Sequence, residues 1–432
     1  MKQTKINTKP LSGFMELKPA EQIQFNKIMK TVQNTYELYG FVPIDTPILE
    51  RAEVLLAKGG EDTDKQIYRF TKGNTDLGMR FDLTVPLARY VAEYQNDLVF
   101  PFRRYAIGKV YRGEKAQAGR FREFYQCDAD IIGKGNLDIK FDAEIPLIIS
   151  TLFKQLGFEN FTIKVNNRKI LNGFFQSLGL IENQSQILRV LDKFDKIGKE
   201  NVINDLRNLK IKERRINNLL GFLEIKDNVI FQLRNLNIEN NDFQEGINEL
   251  EIVTDIVRNA DISEKNCKID LSIARGLAYY TGTVYETVLN DYPELGSVCG
   301  GGRYNDLTSY YTENMYQGVG FTFGLTRLFY LFSRAGLIKT DIATTTKVTV
   351  ICNSKTEDYA LNITKKLRNE GINTEILYSL RDGLSYSNKL GIPYVILIGD
   401  DEVRRNQLTL KDMKKNTQES LDINNLIKRL NY

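Results

Sequence analysis

The chain has 432 residues, of which 42% are hydrophobic and 26% charged, and its formal net charge is +4. This length exceeds what a single hydrophobic core usually supports, so two or three domains are expected. The mild positive charge permits a polyanionic partner but does not demonstrate one. The four cysteines are far apart and form no CxxC pair, which argues against a zinc site and a disulfide framework.

Histidine is absent from the chain. Imidazole is therefore excluded as a base, a nucleophile or a metal ligand, and a serine-type catalytic triad is impossible. Carboxylates, arginine, lysine and tyrosine remain for any chemistry. No stretch is apolar enough for a membrane span, and the first residues lack the apolar region of a signal peptide, so we expect a cytoplasmic protein without a membrane partner.

The first predicted element is an amphipathic helix over residues 19–40, which ends at Gly40. Residues 41–50 then predict a strand that ends near Pro47. Helix and strand together present more apolar surface than the edge of one domain should expose. This surplus predicts a homodimer that forms through the region.

The next distinctive stretch is MRFDLTVP, residues 79–86. Read as a strand, it places Asp82 and Thr84 on one face, where a carboxylate and a hydroxyl could hold an ammonium group. The alternative is a capping device for the helix that follows, which is the commoner use of Asp-x-Thr at such a position.

Residues 102–133 predict two antiparallel strands, with alternating runs at 105–111 and 121–132 and a charged, mobile loop at 113–119. The polar positions of this hairpin and its loop are Arg112, Glu114, Arg120, Arg122, Glu123, Gln126, Asp128 and Asp130. A salt-bridged surface hairpin is the simpler interpretation. Against it, arginine is used where planar phosphate recognition requires it, and the opposite face is too apolar for a solvated ribbon.

A helix is predicted at 138–157 and a strand leading into a helix at 161–171. Residues 168–260 are rich in Leu, Asn, Lys and Glu with helical periodicity, which predicts a helical insertion. Residues 273–286, IARGLAYYTGTVYE, predict an aromatic strand that begins near Arg275 and carries Tyr279 and Tyr280. Residues 299–307, CGGGRYNDL, contain three glycines that would let the backbone approach a ligand, or form a flexible turn.

Residues 318–332, GVGFTFGLTRLFYLF, predict a strand entering a helix that bears Arg327. A linker at 336–346 precedes three strands that alternate with helices at 357–371 and 383–390, then a strand at 407–411 and a helix near 423–430. This alternation predicts a small α/β domain with a mostly parallel or mixed sheet.

These stretches resemble the class II aminoacyl-tRNA synthetases, in the form carried by the histidyl-tRNA synthetase family. Residues 102–133 resemble motif 2, 41–50 motif 1 and 318–332 motif 3, while 273–286 and 299–307 resemble the two histidyl signatures. Residues 347–432 resemble the anticodon-binding domain of class IIa enzymes. The chain departs from the family pattern at Lys115-Ala116, Ala278, Asn305 and Thr326.

The resemblance implies an α+β fold in which an antiparallel-sheet catalytic core carries a helical insertion and is followed by a small α/β anticodon-binding domain. The implied domains are residues 1–167 and 261–335 for the core, 168–260 for the insertion, 336–346 for the linker and 347–432 for the last domain. The insertion would lie over the acceptor stem of tRNA.

The implied activity is that of a histidine–tRNA ligase acting on L-histidine, ATP with Mg²⁺, and tRNA(His). Arg112 and Arg275 would be catalytic, with Arg275 in a place that a metal holds in related enzymes, so no protein-bound metal is expected. The implied histidine-binding residues are Asp82, Leu83, Thr84, Gln126, Asp130, Tyr279 and Tyr280. The implied ATP-binding residues are Arg112, Glu114, Arg120 and Arg327.

Two other functions are compatible with parts of the pattern. A catalytically silent paralogue that senses histidine and regulates its biosynthesis would resemble the core, but such paralogues tend to lose the signature arginine and the last domain, both kept here. A general RNA-binding protein leaves Asp82 and Arg275 unexplained. The absence of histidine fits compositional drift, or an enzyme that can still be synthesised when its own amino acid runs out.

Overall fold

A computed structural model describes residues 6–57, 64–191, 194–273, 280–306, 308–340 and 343–431. Backbone contacts divide the chain into two compact units. The first comprises Met1–Met15 and Ile28–Arg334, and the second comprises Glu16–Lys27 and Ala335–Tyr432. The helix α1 (Pro19–Leu38) contributes residues to both units.

The first unit is built on an eight-stranded sheet and a three-stranded sheet within its described residues. The strands of this unit are β1 (Val42–Pro43), β2 (Leu49–Arg51), β3 (Arg69–Lys72), β4 (Thr75–Met79), β5 (Phe102–Tyr111), β6 (Glu123–Lys134), β7 (Phe161–Asn167), β8 (Cys267–Ile269), β9 (Thr283–Leu289), β10 (Ser297–Tyr304) and β11 (Tyr316–Gly324). The large sheet has the order β1-β5-β6-β11-β10-β9-β7-β8, and the small one β2-β4-β3. The β1–β5 and β7–β8 pairs are parallel and all other pairs antiparallel, which confirms the antiparallel core.

The predicted single strand over residues 41–50 is wrong. The structure has two short strands there, and β1 and β2 belong to different sheets. Between them Pro47 lacks an amide hydrogen and cannot continue a ladder. The buried guanidinium of Arg80 fixes the turn, because its Nη1 donates to the carbonyl of Thr46 and contacts Asp45 at 3.0 Å.

The helices of the first unit after α1 are α2 (Ala52–Leu56), α3 (Thr84–Glu93), α4 (Lys140–Gln155), α5 (Arg168–Ser177), α6 (Gln184–Leu191), α7 (Phe194–Asn208), α8 (Glu213–Leu223), α9 (Val229–Asn235), α10 (Asn241–Asn259) and α11 (Leu325–Arg334). Short 3₁₀ turns lie at Ile181–Asn183 and Pro293–Leu295. Gly198, with φ of 78°, interrupts α7. Helix α4 buries Ile145, Ile148, Ile149, Leu152 and Phe153.

The described residues of the stretch 168–260 are mainly helical, as the sequence predicts. The first and last helices of this stretch, α5 and α10, cross closely because each contributes a glycine to the contact. A Cβ added to Gly173 would lie 2.7 Å from the Cβ of Phe243, and one added to Gly246 would lie 2.8 Å from Ile170. Larger residues at either position would force the two helices apart.

The second unit contains a five-stranded sheet with the order β13-β12-β14-β15-β16. Its elements are β12 (Val348–Cys352), α12 (Glu357–Asn369), β13 (Thr374–Leu377), α13 (Leu380–Leu390), β14 (Tyr394–Ile398), α14 (Asp400–Arg405), β15 (Leu408–Asp412), β16 (Thr417–Leu421) and α15 (Ile423–Asn431). The first three strands in sheet order are parallel and the last two pairings antiparallel, so the sheet is mixed as predicted. The sequence prediction missed β16 and α14. In neither unit is any described helix both long and apolar enough to cross a bilayer.

Candidate functional site

Four strands of the large sheet present one continuous polar face. The register pairs Arg104 of β5 with Asp130 of β6, and Asp130 in turn with Gly320 of β11. Because side chains alternate along a strand, Gln126, Asp128 and Asp130 all point to this face. Thr322 lies opposite Asp128, and Tyr304 ends the next strand, β10.

Asp130 is held from two sides. Its Oδ2 lies 2.6 Å from the Nη2 of Arg104, and its Oδ1 accepts a hydrogen bond of 2.9 Å from the hydroxyl of Tyr304. Arg104 is 0% exposed and Asp130 is 4% exposed. Burial raises the pKa of Asp130, while the guanidinium and the hydroxyl oppose that shift. Asp130 is a site residue predicted from the sequence, whereas neither Arg104 nor Tyr304 is.

Glycines make room for these side chains. A Cβ on Gly320 would lie 2.1 Å from Oδ1 of Asp130, and one on Gly318 would lie 2.3 Å from the ring of Tyr304. Gly302 does the same for Tyr280, whose ring would be 2.8 Å away. By contrast, a Cβ on Gly300 would meet only a backbone oxygen, at 3.5 Å. In the predicted glycine run, Gly300 therefore leaves the backbone open to a ligand on this face, whereas Gly302 makes room for the ring of Tyr280.

Asp82 and Thr84 are close to this face, but the predicted strand that should carry them is wrong. Strand β4 ends at Met79, and Thr84 is the first residue of α3. Asp82 Oδ1 accepts hydrogen bonds from the backbone amides of Thr84 and Val85 at 3.1 and 2.9 Å. The capping interpretation is thus correct for one oxygen. No described residue donates to Oδ2, so the second oxygen can accept a further donor.

The residue between them, Leu83, contributes through its backbone. Its side chain is buried against Ala106 and Val110, while its carbonyl oxygen lies 3.4 Å from Nη2 of Arg104. Arg104 therefore touches both the Asp82–Thr84 segment and Asp130. The Nε and Nη1 groups of Arg104 have no hydrogen-bond partner in the described structure.

Asp128 is a site residue that the sequence analysis placed on the hairpin face but did not assign to a ligand. Its Oδ1 accepts a hydrogen bond from the hydroxyl of Thr322. That hydroxyl in turn accepts one of 3.3 Å from Nε2 of Gln126. Burial raises the pKa of Asp128 to about 7, and the charge of Asp130 adds to the shift while Arg104 opposes it.

One pocket is lined by Thr84, Asp128, Asp130, Tyr280, Tyr304, Gly320, Phe321 and Thr322. Of the predicted histidine-binding residues, Thr84, Asp130 and Tyr280 are brought together here. Gln126 is linked to the pocket through Thr322, and its Oε1 is buried without a donor among the described residues. The sequence predicts a strand that carries Tyr280, but in the structure Tyr280 lies before β9 and is not on a strand.

Arg112 lies at the end of β5, where two aromatic rings fix its guanidinium. The Cζ atom is 4.3 Å from the ring centroid of Phe81 and 5.1 Å from that of Phe124. Its Nε donates a hydrogen bond of 3.2 Å to the carbonyl of Phe81. Its positive charge opposes the rise in the pKa of Asp82 that burial causes. A preformed, oriented cation therefore lies beside the Asp82 carboxylate.

The loop between β5 and β6 has its own internal structure. Gln117 and Arg120 form a backbone bridge, and the side chain of Arg120 lies 3.6 Å from the carboxylate of Glu114. Arg122 ties the loop down, because its Nε donates to the carbonyl of Glu114 at 3.0 Å and its backbone amide donates to Gly13 at 2.8 Å. Glu114 and Arg120 are thus paired with each other.

Arg327 lies in the first turn of α11, the helix that follows β11. Its Nη2 donates a hydrogen bond of 2.8 Å to the carbonyl of Leu295. The preceding residue, Thr326, replaces the glutamate usual in the family, and its hydroxyl accepts a hydrogen bond of 2.8 Å from the amide of Tyr125. Thr326 therefore anchors the start of α11 to β6, so that the helix is held without a carboxylate.

The single arginine of the CGGGRYNDL signature, Arg303, has a structural role. Arg303 is buried and contacts Asp142 of α4 at 2.7 Å, with further hydrogen bonds to Gln317 and the carbonyl of Asp138. The Oδ1 of Asn305 is buried without a partner among the described residues. Arg275, Ala278 and Tyr279 lie outside the described residues.

Comparison with known proteins agrees with this geometry. The family profile of histidyl-tRNA synthetases matches residues 13–328, and that of the anticodon binding domain matches residues 347–431. A histidine–tRNA ligase of Clostridium tetani is 51% identical over 99% of each chain, and one of Finegoldia magna is 43% identical over 98% of this chain and 100% of its own. The crystal structure of histidyl-tRNA synthetase from Nostoc sp. PCC 7120 is 37% identical, covers 99% of both chains and has a TM-score of 0.91. With matches of this extent in both sequence and fold, this chain belongs to the histidyl-tRNA synthetase family.

Proposed function

We propose that this chain is a histidine–tRNA ligase. In the first step a carboxylate oxygen of histidine attacks the α-phosphorus of ATP, the bond to the β-phosphate breaks and pyrophosphate leaves. In the second step a ribose hydroxyl of the terminal adenosine of tRNA(His) attacks the acyl carbon and AMP leaves. The observation that carries the proposal is the pocket lined by Thr84, Asp130 and Tyr304, where Arg104 joins Asp130 to the carbonyl of Leu83.

Histidine is proposed to lie between these groups. Its ammonium would donate to the second oxygen of Asp82 and to Thr84, with Leu83 acting through its backbone. A ring N–H would donate to Asp130, which Arg104 and Tyr304 hold as an acceptor. Tyr280 would complete the imidazole contacts, with Gln126 and Tyr279 nearby. A site of this kind discriminates strongly, because a substrate without matching polar groups leaves buried partners unpaired.

ATP is proposed to arrive as substrate with Mg²⁺ on its outer phosphates. Both chemical steps collect negative charge on phosphate oxygens, so they require positioned cations more than a base. We assign this role to Arg112 and, from the family signature, to Arg275. Glu114, Arg120 and Arg327 are the further proposed ATP contacts. Glu114 also offers carboxylate oxygens, the ligand type that Mg²⁺ prefers.

We further propose that the domains predicted from the sequence carry out different parts of the reaction. Residues 1–167 and 261–335 would form the adenylate, residues 168–260 would contact the acceptor stem, and residues 347–432, after a linker at 336–346, would bind the anticodon. Because its tRNA substrate is used in translation, the protein is proposed to act in the cytoplasm. The structure supplies no observation that favours the histidine-sensing paralogue.

Amino-acid-dependent exchange between ATP and pyrophosphate, measured with each of the twenty amino acids, tests the function. We expect exchange with histidine alone, followed by charging of tRNA(His) when tRNA is added. Histidine binding without exchange would instead support a sensor. Exchange with a different amino acid would show that Asp130 and Tyr280 have been misassigned.

The homodimer is a separate proposal that rests on exposed apolar side chains around motif 1. Val42, Leu49 and Phe70 lie on β1, β2 and β3 and are 49%, 45% and 43% exposed. Large apolar side chains exposed to this extent are typical of an interface when they form a patch. We expect sedimentation equilibrium at micromolar concentration to give twice the mass of the chain. Leu49→Arg should shift the protein towards monomer, whereas Ile181→Arg, at a residue 55% exposed in the insertion, should not. A monomeric wild type would contradict the proposal.

A further inference from the structure

The imidazole pocket contains a second carboxyl group whose role the proposed function leaves open. We propose that Asp128 is a specificity-determining residue that contacts the second ring nitrogen of histidine, and that the two groups hold one proton between them in the complex. This inference rests on the proposed function, because it takes histidine as the ligand of the pocket.

Asp128 and Asp130 lie side by side in the lining of one pocket. They are two residues apart on β6, so their side chains share a face and their Cα atoms are about 7 Å apart. The hydroxyl of Thr322 donates a hydrogen bond to Oδ1 of Asp128. No described residue donates to its Oδ2, although the residue lines the pocket. The second oxygen is therefore available to a ligand in the pocket.

The charges around Asp128 favour a proton at this position. On its own face the charged groups that act on it are Arg104 of β5, Asp130 of β6 and Asp82 before α3, while Tyr280 and Tyr304 line the same pocket. Three carboxyl groups therefore lie near the buried guanidinium of Arg104. On the opposite face Tyr36, Cys127 and Cys299 have a pKa raised by burial and stay neutral. The pKa of Asp128, raised to about 7, agrees with this inventory.

The proton count of the complex follows from hydrogen-bond chemistry. Asp130 accepts one ring N–H, which leaves the other nitrogen facing Asp128. Either a protonated Asp128 donates to an unprotonated nitrogen, or an ionised Asp128 accepts from a protonated one. Both arrangements contain the same single proton. At a pH where Asp128 is ionised in the free enzyme and free histidine is neutral, each binding event must take up one proton from solvent.

The KM for histidine in pyrophosphate exchange, measured from pH 7 to 8.5, tests this inference. One proton taken up on binding predicts that the wild-type KM rises about tenfold per pH unit. Asp128→Asn keeps the shape, accepts the Thr322 hydrogen bond and offers a permanent N–H donor to the ring. Its KM should therefore stay constant over the same range. Titration of the substrate ammonium and of the remaining site groups is common to both enzymes and cancels in their ratio.

A second variant covers the case in which Asp128→Asn does not fold. Thr322→Val retains Asp128 but removes a hydrogen bond that favours its ionised form, so the pH at which KM begins to rise should increase while the slope is unchanged. A constant wild-type KM, a parallel rise in Asp128→Asn, or an unchanged midpoint in Thr322→Val would each overturn the inference. Failure of the proposed function is distinct, because wild-type enzyme would then show no exchange with histidine at any pH.

Discussion

Replacing Arg104 with methionine is expected to destabilise the protein by about 3–5 kcal/mol, because it leaves a buried carboxylate without its cation. Methionine occupies much of the space of the arginine stem, so the loss reflects charge more than packing. The affected carboxylates are Asp130, which loses its ion pair, and Asp128 and Asp82, which lose a nearby positive charge. Histidine-dependent exchange should fall to background, since Asp130 is no longer held.

The pH dependence of the loss follows from the direction of the pKa shift. Without Arg104 the pKa of Asp130 rises further above its value in the unfolded chain. Its contribution to stability is then present at low pH and is lost as pH rises through the raised value. Denaturant unfolding at pH 6 and pH 8 should therefore show a larger deficit for Arg104→Met at pH 8.

Two further variants separate charge burial from a general defect. Arg69→Met removes an exposed arginine paired with an exposed aspartate and should unfold like the wild type. Adding Asp130→Leu to Arg104→Met removes both members of the buried pair, which is often neutral for stability. The double variant should regain much of the lost stability but not the exchange activity. An Arg104→Met protein as stable as the wild type at pH 8 would show that Asp130 is neutral in the native state.

The sequence predicted the site face but not the residues that organise it. Gln126, Asp128 and Asp130 alternate visibly along one run, so period-two reasoning found them. Arg104 is on the partner strand, where its role depends on the register that pairs it with Asp130. An eleven-residue connection between the two strands hides that register, since a short turn of known type is what would fix it from the sequence.

The segment around Asp82 shows a different limit. Alternation of Asp82 and Thr84 is compatible with a strand, but Pro86 lies in the first turn of α3, a position that a helix tolerates. From the sequence, ligand binding and helix capping are alternative roles for Asp82. In the structure its two carboxylate oxygens have different surroundings. One oxygen caps the helix and the other is available to a ligand. The capping role that the structure shows is therefore compatible with the ligand-binding role proposed for this aspartate.

Replacing Arg112 with alanine should slow histidine-dependent exchange by about 10²–10³-fold, the usual cost of removing one preorganised group that stabilises developing charge. Phe81 and Phe124 orient its guanidinium, so the enzyme spends no energy on positioning it as charge collects on the α-phosphate. The loss should appear mainly in kcat, because the charge is greatest in the transition state. Arg112→Lys should recover only part of the rate, since an ammonium cannot stack as a plane or offer two parallel donors. Asp130→Ala is the contrasting variant, which should raise the KM for histidine because it acts on the imidazole. If Arg112→Ala turned over at nearly the wild-type rate, its guanidinium would serve only to pack the rings of Phe81 and Phe124.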